Sequence, residues 1–236
     1  MRLEVDIRSK SFTSANGKRQ EVISGIAFTL ERGELGVVVG PSGCGKSTMM
    51  RILAGLDSDY EGRVSQPAGA RLAMVFQEPR LLPWRSVEEN VRLAAPDVTA
   101  ERLAAIFGVL ELDGHRNHFP GELSLGLARR VALARAFAVE PDFLILDEPL
   151  ASLDDALAAR LRDEIATLVA SRPMITLLVT HSMDDAARLG DRIFLLSARP
   201  ARLLRTTPIA VPRGERSEET VAAIRADLAR RDFSMS

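Results

Sequence analysis

The sequence predicts an α/β fold: a core with a mainly parallel sheet, an antiparallel β subdomain at the N-terminus and a helical subdomain. Three observations carry that prediction. The glycine-rich stretch Gly40-Pro41-Ser42-Gly43-Cys44-Gly45-Lys46-Ser47-Thr48 stands between an apolar, β-rich run at 35–39 and a helical run at 48–54. Further apolar runs at 72–76, 143–146 and 175–180 read as strands buried on both faces, as in parallel sheets. Helical patterning occupies 86–114, broken into segments by Pro96 and Thr99, and 125–139. With 236 residues, 46% of them hydrophobic, the chain suffices for one large domain over 1–236. Its helical subdomain is expected at about 86–140 and a C-terminal extension at about 198–236.

Charge and composition narrow the functional classes. Lys and Arg number 31 and Asp and Glu 32, a balance without the basic footprint of a nucleic-acid binder. No apolar run reaches the roughly 18–20 residues of a membrane span. The lone cysteine, Cys44, excludes an internal disulfide and fits a reducing compartment.

In chain order, Leu3, Val5 and Ile7 alternate with charges from Met1 onward, which reads as a half-buried strand and not a signal peptide. Phe12 is either core or a ring on which a base stacks. Ser14 to Lys18, including Ala15, form a polar turn, and Ile26, Phe28 and Leu30 alternate again. These segments make the antiparallel region.

Gly40 to Thr48 matches G-x-x-x-x-G-K-[S/T], the P-loop, in the strand–loop–helix setting its mechanism requires. Gly40, Gly43 and Gly45 let the backbone curl so that N–H groups face phosphate oxygens, and the following helix aims its positive end at them. Lys46 is expected on the β- and γ-phosphates and the Ser47 hydroxyl on Mg²⁺. Cys44, inside the loop, is either a reactive thiol that MgATP protects or a small buried filler.

The run at 72–76 ends at Gln77-Glu78-Pro79-Arg80-Leu81-Leu82-Pro83-Trp84-Arg85, where two prolines impose a loop. At a strand's carboxyl end, Gln77 is placed to touch Mg²⁺ or an attacking water. Trp84 with Leu81 and Leu82 makes an apolar patch if exposed. Thr99 and Ser124 are natural N-caps, and the Ser124 helix is a second anion-binding candidate. The run at 143–146 leads into Asp147 and Glu148; read as consecutive strand residues, they face opposite ways and take different roles. Asp147 suits the Mg²⁺ shell and Glu148 the orientation or deprotonation of water. His181, after the run at 175–180, is either structural or a phosphate contact. Ile193 to Leu196 form the last expected strand, followed by a Pro-rich stretch and a helix from Glu218 to Arg231.

The ordered set resembles the ATP-binding subunit of an ABC transporter, over residues 3 to about 230. The P-loop at 40–48, a Q-loop at Gln77, a Walker B run at 143–148, a D-loop around Leu153-Asp154 and a switch His181 fall in family order. Phe76 to Trp84 resembles the nitrate/sulfonate/taurine branch of bacterial importers. The resemblance implies a P-loop NTPase core with ATP and Mg²⁺ as cofactors. Site residues carried over are Gly40, Pro41, Ser42, Gly43, Cys44, Gly45, Lys46, Ser47, Thr48, Phe12, Ser124 and Gly126 for the nucleotide. Ser47, Gln77 and Asp147 serve the metal, and Glu148, His181 and Gln77 serve catalysis. It implies as partners a membrane permease, a second copy in an ATP-sandwich dimer and, indirectly, an extracytoplasmic substrate-binding protein, with no nucleic acid. The expected location is peripheral, on the cytoplasmic face of the inner membrane.

One element departs from the pattern. The family signature is usually L-S-G-G-Q, and Leu123-Ser124-Leu125-Gly126-Leu127 stands in its place. Ser124 and Gly126 match, while Leu125 and Leu127 add bulk where a second subunit's γ-phosphate is expected. A soluble ABC-type ATPase of DNA repair or translation is the rival reading, but its coiled-coil insertions, tandem domains and basic surfaces are not in this sequence. Glu148 and His181 argue against a subunit that binds ATP without turnover.

Overall fold

The structure is a computed structural model and describes residues 2–14, 16–66 and 69–230. In order, the chain forms β1 (Arg2–Thr13), β2 (Arg19–Ile23), β3 (Ile26–Glu31), β4 (Leu35–Val39), α1 (Lys46–Leu53), β5 (Glu61–Ser65) and β6 (Leu72–Val75). There follow α2 (Val87–Ala94), α3 (Ala100–Val109), α4 (Leu125–Ala138), β7 (Phe143–Asp147), α5 (Asp155–Ala170) and β8 (Ile175–Thr180). The chain closes with α6 (Met183–Leu189), β9 (Arg192–Leu196), β10 (Leu203–Pro208) and α7 (Glu218–Arg230). Contacts divide it into two compact units, residues 1–68 with 177–236, and residues 69–176.

In the first unit, β1 pairs antiparallel with β2, β3 and β5, the small antiparallel region expected from the alternation at 3–7 and 26–30. Alternation puts Leu3, Val5, Ile7, Ile26, Phe28 and Leu30 on the buried face. β4 pairs parallel with β9, from Gly36 opposite Arg192 to Val39 opposite Leu195, and β10 adds an antiparallel edge to β9. Every residue of β4 and β8 is buried, Thr176 and Thr180 of β8 included, as strands covered on both faces require.

In the second unit, β6 pairs parallel with β7 from Leu72 opposite Phe143 to Val75 opposite Leu146. Around them lie α2 to α5. Thr99 and Ser124 cap α3 and α4 as the sequence predicts, accepting from the backbone N–H groups of Arg102 and Leu127. A buried ion pair ties α4 to α5: Arg130 reaches Glu164 at 2.5 Å and also Glu111 at 2.8 Å. Burial pushes the Glu164 carboxyl up despite that arginine.

The structure corrects several expectations. Ile193 to Leu196 are not the last strand, because the Leu-Leu-Arg-Thr-Thr-Pro segment pairs on the edge of β9, with its proline at the strand end where no ladder donor is needed. β7 stops at Asp147. Glu148 has φ of +45° and belongs to the turn after the strand, so the two carboxylates differ by backbone conformation and not by strand alternation. The helical stretch over 86–114 divides at Pro96 and Thr99 as expected, into α2 and α3, and it closes in a short 3₁₀ turn at Asp113–His115. β2, β5, α5 and α6 are additional. Met1 of the expected first strand, Ala15 of the expected turn and Arg231 of the expected last helix lie outside the described residues.

Candidate nucleotide site

The loop between β4 and α1 has the shape its glycines predict, though they differ in role. Gly43 and Gly45 adopt φ of +73° and +135° on either side of Cys44, a curl that other residues resist. Gly40 has no such φ; a Cβ there would come within 3.1 Å of Leu196 Cβ and 3.2 Å of Cys44 Sγ, so its role is close approach. Lys46 begins α1, is buried at 6% exposure and donates from Nζ to the carbonyls of Gly40 and Pro41 at 2.7 and 3.0 Å. Pro41, Ser42, Gly43 and Ser47 are exposed, and Thr48 is half-buried. The first turn of α1 carries no acidic residue of its own, and its positive end favours an anion. This donor set fits a polyphosphate.

Cys44 is 1% exposed, which decides for the buried filler over the reactive thiol. Phe12, at the end of β1, is 47% exposed and is not core; the Lys10 ammonium lies 4.7 Å over its ring. Lys10 itself is buried and pairs with Asp57 at 2.9 Å and Asp59 at 3.2 Å. Burial opposes both charges most strongly, yet pairing outweighs it, raising Lys10 and holding Asp57 below the usual carboxylate range. His181 follows β8 directly and is exposed. The first unit thus supplies the phosphate loop, an exposed aromatic and a histidine after a buried strand.

In the second unit, Gln77 and Glu78 are exposed in the loop after β6. Trp84, 69% exposed, projects from it, and Leu81 and Leu82 are half-buried. Asn90 of α2 organises this loop from a buried position: Oδ1 accepts from Leu82 N–H at 2.8 Å, and Nδ2 donates to the carbonyls of Leu82, Arg85 and Ser86. Ser86 and Glu89 complete a capping box on α2. Asp147 and Glu148 lie half-buried at and just past the end of β7. Ser124 is exposed at the start of α4 with Leu125 (47% exposed) beside it, whereas Gly126 is buried: a Cβ there would lie 2.7 Å from Leu157 Cδ2 of α5.

Among the described residues, no group of three or more His, Cys, Asp or Glu side chains could hold a metal ion. One hydroxyl and one carboxylate suit Mg²⁺, which is commonly held by one or two side chains plus substrate phosphates and water. Three contributors escape sequence reasoning: Asn90, Arg129 and Arg135. Asn90 stands three residues after Val87, on the helix's buried face, a polar residue where the spacing asks for an apolar one. Arg129 and Arg135 sit in the otherwise Ala- and Leu-rich α4, and both guanidiniums are pushed down by burial.

A glycine-curled phosphate loop after a buried strand, with an acidic strand end on a second parallel pair, defines the chain as a P-loop nucleotide-binding protein. The family model described as ABC transporter matches residues 23–151, more than half the sequence, and the chain belongs to the ABC transporter family. It is 42% identical over 219 residues to the aliphatic sulfonates import ATP-binding protein SsuB 2 of Burkholderia cenocepacia, covering 88% of this chain and 80% of that one. It is 38% identical over 222 residues to the corresponding SsuB of Bacillus licheniformis, covering 90% and 86%. A solved dimeric bacterial ABC transporter cassette, MJ0796, superposes with a TM-score of 0.76 at 26% identity, covering 90% of this chain and all of that one.

Proposed function

We propose that this chain is the ATP-hydrolysing subunit of an importer for a small sulfonate-type anion, driving a separate membrane permease. The observation that carries the ATPase reading is the phosphate loop, with its two left-handed glycines and Lys46 at the head of α1. The cargo class rests on the likeness to sulfonate import proteins over most of the chain. Among the described residues no helix is long and apolar enough to cross a membrane, and in this reading a partner subunit carries the transport path. The whole chain acts as one ATPase domain, paired with a second copy as in the dimeric cassette, and peripheral on the cytoplasmic face of the membrane.

Each residue then has a task. The N–H groups of residues 43 to 47 and the Lys46 ammonium bind phosphate oxygens, and Phe12 stacks on the adenine. Ser47 and Asp147 hold Mg²⁺, with Gln77 touching it or the water. The metal, when bound, neutralises charge developing on the phosphates. Glu148 accepts a proton from the attacking water, and His181 contacts the γ-phosphate. Ser124, at the positive end of α4, meets the nucleotide of the second copy, and the backbone N–H of Gly126 supports it. Trp84 and the half-buried leucines before it form the docking surface for the permease.

The test is steady-state ATPase of the purified protein with Lys46→Ala and Glu148→Gln, then sulfonate uptake in vesicles holding the permease. Lys46→Ala is expected to weaken nucleotide binding through loss of a charge-assisted contact, and Glu148→Gln to bind ATP without turnover. Wild-type turnover by Glu148→Gln removes the base role. Uptake of an unrelated solute, with none of alkanesulfonates, overturns the cargo class. Retention on membranes only when the permease is present checks the peripheral location.

A further inference from the structure

Helix α4 grips two loops through a buried arginine, Arg129, and a half-buried one, Arg135. Arg129 is 6% exposed, and its Nη1 donates to the carbonyl of Pro149 at 3.1 Å. Pro149 directly follows Glu148, whose φ of +45° is uncommon for a residue with a side chain. The Ala151 N–H returns to the Glu148 carbonyl at 3.1 Å, and Ser152 also has positive φ, at +60°. The turn carrying Glu148 is therefore a strained one, and such conformations persist only where surrounding contacts over-determine them. Arg129 is one such contact, reaching the turn from outside it.

Six residues further along, about 9 Å up the same helix, Arg135 donates to the carbonyls of Arg80 and Pro79, both at 2.9 Å. These lie just past Gln77, and Arg80 too has positive φ, at +48°. The helix is thus fastened at its far end to the Gln77 loop and at its near end to the Glu148 turn, while its first turn carries Ser124. A guanidinium buried against carbonyls alone is costly, so a salt-bridge account does not explain Arg129. Among the described residues its Nε makes no hydrogen bond, and its Nη1 donates to the Pro149 carbonyl.

We infer that Arg129 is a positioning residue for Glu148, holding the turn so that the carboxylate meets the attacking water. Through it, the placement of α4 sets the alignment of the base. The inference rests on the proposed role of Glu148. Arg129 touches no nucleotide in this scheme, so it acts on the chemical step and not on binding.

The experiment compares ATPase kinetics and nucleotide affinity of Arg129→Met, which removes the donors at similar length, and Arg129→Lys, which keeps a charged one. Arg129→Met is expected to lower kcat about 10- to 100-fold, the range for a misplaced catalytic group. The KM for MgATP and the nucleotide Kd stay within about twofold, as for an interaction made only in the transition state. Arg129→Lys recovers part of the kcat, and Arg129→Met added to Glu148→Gln causes no further loss. If Arg129→Met does not fold, Arg129→Gln, too short to reach Pro149, is expected to show the same kcat loss. Unchanged kcat in a folded Met or Gln variant, or a loss wholly in KM, overturns the inference while leaving the base role standing. Wild-type turnover by Glu148→Gln instead removes the base role, and the positioning role with it.

Discussion

At the scale of single residues, backbone geometry separates glycines that look alike in the sequence. Gly62 in β5 has φ of +131°, and a Cβ there would lie 2.0 Å from the Asp6 carbonyl oxygen on the neighbouring strand. Backbone cannot yield as a side chain can. Gly62→Ala is therefore expected to destabilise the protein by about 3 kcal/mol or more. Gly126 meets only the tip of Leu157, a half-buried and mobile end, so Gly126→Ala is expected to cost about 1 kcal/mol or less. Thermal unfolding of both variants checks the ordering. Cys44 supplies a second residue-scale test. Buried at 1% exposure, its thiol is expected to resist a disulfide reagent equally with and without MgATP, and to react only in denaturant. Rapid labelling of the folded protein would contradict that burial. The phosphate loop was legible in the sequence because its chemistry is local, with neighbouring residues supplying both curl and charge. The left-handed turn at Glu148 was not legible, since nothing in an Asp-Glu-Pro string reports φ. Arg129 was missed for a related reason: its acceptor is a backbone carbonyl 20 residues away, which carries no side-chain signature.

At the scale of elements, two polar ties hold segments that apolar packing alone would not fix. In the first, Lys10 of β1 is clamped by Asp57 and Asp59 in the link between α1 and β5. The Asp57 carboxyl is depressed, so its stabilisation is present at neutral pH and is lost as pH falls through the folded pKa, below about pH 4. Lys10 is raised, so its share holds below its unfolded value and is lost only above about pH 10. Asp57→Asn is expected to cost about 2 kcal/mol at pH 7, less than a fully broken buried pair because Asp59 remains, and the difference from wild type should shrink toward pH 3. Urea unfolding at the two pH values measures it. In the second tie, Asn90 makes four hydrogen bonds to the 82–86 loop that presents Trp84. Asn90→Leu strands those backbone groups and is expected to cost about 2–3 kcal/mol. The fluorescence anisotropy of Trp84, the only tryptophan, should fall as the loop loosens. An unchanged anisotropy would mean the loop is held by its own prolines. Strands β4 and β8 and the caps of α3 and α4 were legible because short apolar, β-branched runs and Ser or Thr caps are strong local signals. β2 and β10 were not, being edge strands whose polar residues, Arg19-Gln20-Glu21 and Arg205-Thr206-Thr207, resemble loops until a partner strand is seen. For α5 the signal was present, in Asp154 as N-cap and in Leu157, Leu161, Ile165 and Leu168 at helical spacing.

At the scale of the whole molecule, the question is whether turnover belongs to one copy or to two. The start of α4 turns Ser124 and Leu125 outward, while Gly126 is pinned against Leu157. An exposed leucine beside an exposed helix cap is a surface made for contact, and the positive helix end behind Ser124 suits an anion brought by a second copy. In the proposed pairing, Leu125 borders the place of that anion, and the backbone N–H groups at the start of α4 remain as donors. Three consequences follow for kinetics. The wild-type rate per subunit should rise with protein concentration and then level off, as association becomes complete. Ser124→Arg should keep a low, flat rate, because it removes the cap acceptor and sets a bulky cation against the positive helix end. Its monomer should still bind MgATP, since the phosphate loop is untouched, and that binding measurement separates a failure to pair from a failure to fold. Leu125→Gly should stay within about twofold of wild type if the leucine only borders the path, whereas a clear gain in rate would show that it obstructs closure. A rate per subunit that ignores both concentration and Ser124→Arg would place hydrolysis within a single copy and leave the outward face of α4 without a role in the reaction.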